Sequence, residues 1–368
     1  MTAKDTSGAE LTMNDEFYIK RTLRLASKAK GLTSPNPMVG AVIVKNGEII
    51  AEDFHRKPGA PHAEPLALEK AGKKVRGAVL YVNLEPCCHT DKRTPPCTKA
   101  IINSGIKRVV IGMLDPNPKV AGKGAMELQN AGIEVRSGIL EDESKILNEF
   151  YVKHVTTGKP FVILKTAMTL DGKIATPEGQ SKWITCEKAR KIVLRLRSRV
   201  DAIMTAIGTV KSDDPQLTAR VKIGKNPLRI VIDPHLEIPL NAKILKMPPQ
   251  TIIVTNTRNL KSIYLEKSGI NMLYYKEKLN LKWLMEQLGK MEISSVLIEG
   301  GSSLNSHALE DGVIDKIMFF IAPIIIGGRE SFPAVGGKTY KRLEEAYRIK
   351  DLKIKRIGDD LLIEGYIR

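Results

Sequence analysis

The chain has 368 residues, 42% of them apolar, which favours two domains of ordinary size with enough apolar content to fill a core in each. No uncharged apolar run reaches the roughly 18 residues that would span a membrane, and Met1-Thr2-Ala3-Lys4-Asp5 lacks the apolar segment of a secretory leader, so a cytoplasmic protein is expected. The net charge of +17 invites nucleic acid as a partner, but the basic residues are spread over the chain without a dense arm; a solvated surface whose positive field suits small phosphorylated ligands is the expectation.

Residues 1–13 are polar and read as loose. A helical pattern starts at Asn14, with Ile19, Leu23 and Ala26 on one face. A buried strand over 39–44 meets the turn Asn46-Gly47 and returns over 48–53 as a hairpin. His62 and Glu64 stand where the next helix begins, running to Gly72. Residues two apart do not share a helix face in its interior, but in the first turn both can point into one cavity. A strand over 78–84 delivers Pro86-Cys87 at its end. Proline is well tolerated at a helix start, so Pro95-Pro96 puts Cys97 in the first turn of a helix reaching Ser104. Unpaired N–H groups and the helix dipole favour a thiolate there. A strand over 108–113, the loop Asp115-Pro116-Asn117-Pro118, a helix over 125–131 and a strand over 133–136 complete a three-layer α/β domain. A connecting helix over 141–154 leads to the linker Thr156-Thr157-Gly158-Lys159-Pro160, giving domains at 14–155 and 160–368.

Chemistry concentrates between His62 and Cys97. Of four cysteines, three are Cys87, Cys88 and Cys97, which suits metal ligation rather than a disulfide framework, and Cys186 stands alone. One imidazole and two sulfurs, His62, Cys87 and Cys97, leave the fourth position of a tetrahedral zinc open, as catalytic sites require. Glu64 is the group to move the proton of a zinc-activated water. His-x-Glu followed by Pro-Cys and a second Cys is the pattern of zinc-dependent nucleobase deaminases. With Ser34-Pro35-Asn36-Pro37-Met38-Val39-Gly40, Arg93-Thr94-Pro95-Pro96-Cys97 and Asp115-Pro116-Asn117-Pro118, the stretch resembles the deaminase half of the bifunctional RibD riboflavin-biosynthesis family. The family's spacing between the sulfurs is usually one residue shorter. Cys87 follows the proline as the pattern demands and is the expected first sulfur; Cys88 would restore the usual spacing. Asn36, Arg93, Asp115 and Asn117 are the motif residues expected to orient the substrate.

Beyond the linker an apolar strand over 161–165 opens a second half. Strands over 202–205, 228–232, 251–255 and 296–299 alternate with helical stretches, which argues a mainly parallel sheet. Glu299-Gly300-Gly301-Ser302 lies between a strand and a helix, where glycines let backbone N–H groups approach an anion; the same pair also serves as a plain tight turn. Taken in order with Lys165 to Ala175, Ser181-Lys182-Trp183-Ile184-Thr185, Gly208-Thr209-Val210, Asp213-Asp214-Pro215, Leu217-Thr218-Ala219-Arg220 and Ala322 to Gly328, it resembles the reductase half of RibD, a fold similar to dihydrofolate reductase. The resemblance implies NADPH, touched by Ala167, Trp183, Thr209, Asp213, Gly300 and Gly301, and a phosphorylated ribosylaminouracil held by Ser181, Arg220 and Glu299.

The expected protein is therefore a cytidine-deaminase-like α/β/α domain joined to a dihydrofolate-reductase-like α/β domain. It would deaminate a small phosphorylated pyrimidine with zinc and reduce its ribosyl group with NADPH, as a homo-oligomer, dimer or tetramer, without nucleic acid or membrane. A deaminase acting on nucleic acid leaves the second half without a purpose. A closed structural zinc, with Cys88 or His89 as fourth ligand, leaves Glu64 unexplained. Asp171, Asp213, Arg220 and Glu299 argue against a degenerate second domain.

Overall fold

The structure, a computed structural model, describes residues 6–90, 95–221, 224–337 and 342–367, with the backbone alone over 6–13. The chain divides into two compact units, 1–158 and 159–368. The first runs α1 (Thr6–Ala26), β1 (Gly40–Lys45), β2 (Glu48–Phe54), α2 (Ala63–Ala71), β3 (Val79–Leu84), α3 (Cys97–Ser104), β4 (Arg108–Met113), α4 (Lys123–Asn130), β5 (Glu134–Ser137), α5 (Glu141–Leu147) and α6 (Glu149–Thr157). Its sheet has the order β2-β1-β3-β4-β5. The hairpin pairs antiparallel and leaves β3, β4 and β5 parallel. Asn46 and Gly47, at φ 52° and 82°, take the left-handed values that a two-residue hairpin turn of this type demands.

Alternation along the strands sorts the core into two faces. Ala41, Ile43, Leu80, Val82, Val109 and Ile111 pack with Ala63, Ala67, Ile101 and Leu128 from the helices of one side. Val42, Val44, Tyr81 and Val110 pack with Tyr18, Ile19 and Leu25 of α1 on the other. Helices thus cover both faces, which makes three layers.

Two elements depart from expectation. The first helix begins at Thr6 and not at Asn14, so residues 6–13 are helical rather than loose. Ala9, Glu10, Leu11 and Met13 are good helix formers, and extending an existing helix is far easier than nucleating one. The connecting helix is two helices, broken at Asn148. That buried side chain accepts from Met38 N at 2.8 Å and donates to Met38 O at 3.1 Å, a long-range pairing that no local pattern announces.

The second unit runs β6 (Phe161–Thr169), β7 (Lys173–Ala175), α7 (Glu187–Arg197), β8 (Ala202–Ala206), α8 (Ile207–Asp213), β9 (Leu228–Ile232), α9 (Lys243–Lys246), β10 (Thr251–Thr255), α10 (Leu260–Lys267) and β11 (Asn271–Tyr274). It continues with α11 (Leu281–Lys290), β12 (Ser295–Ile298), α12 (Ser302–Glu310), β13 (Lys316–Ala322), β14 (Phe332–Pro333), β15 (Ile349–Ile357) and β16 (Asp360–Ile367). The main sheet has the order β11-β10-β9-β8-β12-β6-β13-β16-β15. It is parallel from β11 to β13 and antiparallel beyond. Neighbours such as Ile230, Val231 and Ile232, or Ile252, Ile253 and Val254, are all buried, as strands covered on both faces require. At the far edge β15 is exposed at every position between its two ends.

Candidate active sites

In the first unit the helix starts and the end of β3 converge. His62 caps α2 in an extended conformation, and Cys97 is the first residue of α3. Thr98 N donates to Cys87 O at 3.3 Å and ties that helix start to the segment after β3. His62 Nδ1 lies 3.3 Å from Cys97 Sγ and 3.5 Å from Cys87 Sγ. All three ligand atoms fall within 4.8 Å of one another. Zinc–nitrogen and zinc–sulfur bonds of about 2.0 and 2.3 Å at a tetrahedral angle put N and S about 3.5 Å apart, so the residues fit zinc. Cys88 is partly exposed and lies outside this group.

Glu64 sits in the first turn of α2 at 3% exposure. Its Oε2 is buried with no hydrogen-bond partner among the described residues. Burial raises its pKa, the Cys87 sulfur adds to that, and His62 opposes it. An acceptor buried without a partner costs free energy unless something else meets it, which sets Glu64 apart from a core residue.

Asn36, Asp115 and Asn117 are tied to this centre through their neighbours. Asn36 Nδ2 lies 3.5 Å from Nε2 of the buried His55, whose Nδ1 is 3.1 Å from Pro61 O. The His55 ring meets the edge of His62 at 5.2 Å between centroids. Met38, two residues after Asn36, is clamped by Asn148 and by Asn83, which donates to its carbonyl at 3.0 Å. Glu85, buried between β3 and Cys87, accepts from the backbone N–H of Asp115, Gly122 and Ala125 at 2.9 to 3.0 Å. That carboxylate fastens the loop after β4 to the segment bearing the sulfur. Asp115 accepts from Asn117 N at 2.9 Å and from the Tyr151 hydroxyl at 2.8 Å. Arg93 lies outside the described residues.

In the second unit the motif residues gather at the carboxyl ends of β6, β8 and β12. Glu299 follows β12 and is paired bidentately with Arg197, Nε to Oε1 at 2.6 Å and Nη2 to Oε2 at 3.0 Å. Lys165 of β6 stands 3.4 Å from Oε2. Burial alone would raise the Glu299 carboxyl; Arg197 and Lys165 override it and hold its pKa at about 2. Arg197 Nη1 also donates to Thr218 O, which anchors the segment leading to the exposed Arg220. Thr209 and Asp213 lie on α8. Asp213 pairs with Lys182 at 3.1 Å, bringing the Ser181 to Trp183 segment to that helix. Trp183 is 71% exposed, with the Arg190 guanidinium 4.6 Å from its ring centroid. Ala167 is half-buried on β6. Asp171 accepts from Gly327 N at 2.7 Å, joining the turn after β6 to the late glycine pair.

The two glycines before α12 differ in what they permit. A Cβ on Gly300 would come 2.8 Å from the Leu304 side chain, which would have to shift, whereas a Cβ on Gly301 would meet nothing. Gly301 caps the helix, and the first intrahelical bond is Asn305 N to Gly301 O, which leaves earlier N–H groups for a ligand. Beside this helix start is a cleft of about 460 Å³, lined among others by Asn256, Tyr275, Lys278, Ser303 and His307. It lies beyond the carboxyl ends of β8 to β11, where open α/β sheets place ligands. Open space at Gly301, unpaired helix N–H groups and the cleft fit a nicotinamide dinucleotide.

Comparisons with known proteins agree with this division. Residues 12–113 match the cytidine and deoxycytidylate deaminase zinc-binding region, and residues 160–363 match the RibD C-terminal domain. The riboflavin biosynthesis protein RibD of Aquifex aeolicus is 46% identical over 95% of this chain and 97% of its own length. That of Escherichia coli is 38% identical over 95% and 99%. The structure of Acinetobacter baumannii RibD superposes with a TM-score of 0.89 at 38% identity, covering 97% of this chain and 99% of that one. A diaminohydroxyphosphoribosylaminopyrimidine deaminase/5-amino-6-(5-phosphoribosylamino)uracil reductase from Thermotoga maritima superposes at 0.88 and 38%, with the same coverage. Fold and site together define a two-domain α/β enzyme, a zinc-binding deaminase continued by a reductase. The chain belongs to the RibD family of bifunctional riboflavin-biosynthesis enzymes.

Proposed function

We propose that the first unit hydrolyses the exocyclic amino group of 2,5-diamino-6-ribosylamino-4(3H)-pyrimidinone 5′-phosphate, and that the second reduces the ribosyl group of the product to ribityl with NADPH. The observation that carries the first step is the unpartnered, buried Oε2 of Glu64 beside His62, Cys87 and Cys97. Those three residues would hold zinc, which when bound would acidify a water for use as the nucleophile. Glu64 takes the proton that the water gives up as its oxygen bonds to the amino-bearing ring carbon, delivers it to the ring nitrogen, and then passes the remaining hydroxyl proton to the amine. The C–N bond breaks, ammonia leaves and a ring carbonyl remains. Asn36, oriented by His55, and Asp115 and Asn117, fastened through Glu85, face the ring, and Arg93 serves its phosphate.

In the second unit the nicotinamide cofactor brings the hydride, and the protein supplies placement. The N–H groups at the start of α12 and the open Gly301 suit the pyrophosphate. Gly300, Ala167, Trp183, Thr209 and Asp213 complete that cofactor site. The cleft beside them suits the adenosine half, with Lys278 the cation for a 2′-phosphate. Ser181 and Arg220 hold the substrate, Arg220 by a guanidinium fork on phosphate. Glu299, kept ionised by Arg197 and Lys165, accepts from ribose or base donors with its remaining lone pairs.

Glu64→Gln is nearly isosteric but cannot shuttle a proton. It is expected to keep its zinc and lose about 10²-fold or more in ammonia release. Near-parental deamination by that variant would rule the role out.

A further inference from the structure

Asp115 is itself held in place by a residue of the last helix of its unit, Tyr151. Tyr151 lies on α6, with its ring seated against the core that α2, α3 and α4 form on the sheet. Its hydroxyl donates to Asp115 Oδ1 at 2.8 Å, and Asn117 N donates to the same oxygen at 2.9 Å. The Asn117 side chain also interacts with the phenol. Asp115 is 6% exposed, and its own N–H is taken by Glu85, two residues before Cys87. Among the described residues Oδ2 receives no hydrogen bond. One oxygen of this carboxylate is therefore saturated from within the fold, while the other, which is not fully enclosed, is open to a ligand or to solvent. Burial, with Glu85 and Cys87 adding to it, pushes the Asp115 pKa to about 6 against the pull of Asn117 and Tyr151. A buried carboxylate half-satisfied by its own protein is a feature of binding sites rather than of cores.

We propose that Tyr151 is a positioning residue of the deaminase site, fixing Asp115 through Oδ1 so that Oδ2 is presented to an N–H donor of the aminopyrimidine. The inference rests on the deaminase reading of this unit. A phenol seated on the core has little freedom, so the hydroxyl sets the carboxylate rotamer before the substrate arrives. That pre-organisation belongs to binding and not to proton transfer, which Glu64 performs.

The test compares the full-length zinc-loaded protein with Tyr151→Phe, Asp115→Asn and the double variant, following ammonia release against concentration of the aminopyrimidine phosphate. Tyr151→Phe keeps the ring and removes only the hydroxyl. Its KM is expected to rise about tenfold, the effect of losing one hydrogen bond to a charged group, with kcat within about twofold and zinc content unchanged. In the Asp115→Asn background the same change should add nothing, because the two residues act as one unit. An unaltered KM, an equal penalty in both backgrounds, or loss of zinc together with kcat would each overturn the proposal. A parent protein that releases no ammonia would sink the deaminase reading itself. An active parent with an unaffected Tyr151→Phe variant would sink this inference alone.

Discussion

Two buried carboxylates of this chain carry opposite linkages between charge and stability. Asp115 titrates at about 6 in the fold against an ordinary 3.8, because burial disfavours its charge. Its ionisation therefore costs stability, and the cost is present above about pH 6 and gone below the ordinary value. Glu299 titrates at about 2 against an ordinary 4.5, so it stabilises the fold above that ordinary value and loses its contribution as pH falls toward 2. Asp115→Asn keeps the oxygen that receives Tyr151 and Asn117 but cannot ionise. At pH 8 it is expected to resist urea better than the parent, by up to about 3 kcal/mol for a two-unit shift. By pH 4 the advantage should have largely vanished. Unfolding curves at pH 8, 6 and 4 decide this, and a gap that does not change with pH would refute it.

At the scale of elements, α4 approaches the segment that bears the first sulfur as closely as a backbone can. A Cβ on Gly124 would collide with the Pro86 carbonyl oxygen and crowd Glu85 Oε1 at 3.2 Å. Gly124→Ala must push α4 away or shift Pro86-Cys87. A loss of about 1–3 kcal/mol is expected, as for other overpacked sites, together with weaker zinc retention. Urea unfolding paired with zinc analysis measures both, and parental values in each would show that the contact yields freely. What the sequence discloses and conceals follows the same division between local and distant causes. Asn46-Gly47 and Pro95-Pro96 announce a turn and a helix start because one or two residues determine the backbone there. The break at Asn148 depends on Met38, 110 positions away, and the partner of Glu299 is Arg197, 102 positions away. Asn256, Tyr275, Lys278 and His307 line the cleft only because parallel strands bring their ends together. The edge strand β15, written Ile349-Lys350-Asp351-Leu352-Lys353-Ile354, offers too few apolar residues to declare a strand, and β16 beside it is what makes it one.

For the whole molecule, the zinc set, Glu64 and the residues around them lie within the first unit, and the proposed cofactor and substrate residues of the reductase lie within the second. Each activity is expected to survive loss of the other. Glu64→Gln should still oxidise NADPH when given the deaminated ribosylaminouracil phosphate, and Arg220→Ala should still release ammonia while its reduction fails. A folded Glu64→Gln protein that binds NADPH but shows no fall in its absorbance would mean that the sites depend on one another.

The outer strand of the larger sheet has a bearing on how copies of the molecule behave in a crowd. A sheet edge is a template on which another chain can add itself, and charged side chains are the usual deterrent. Along β15 stand Lys350, Lys353, Lys355 and Arg356, on a chain whose overall charge is already +17. Lys355 is paired with Glu364 at 2.7 Å and Asp351 offsets part of the charge, so the positive field that discourages backbone pairing at this edge comes mainly from Lys350, Lys353 and Arg356. The protection is ionic, and at physiological salt such a field fades over about 8 Å. Colloidal stability at this edge is thus a property of the solvent as much as of the fold, strongest in dilute buffer and eroding as salt is added.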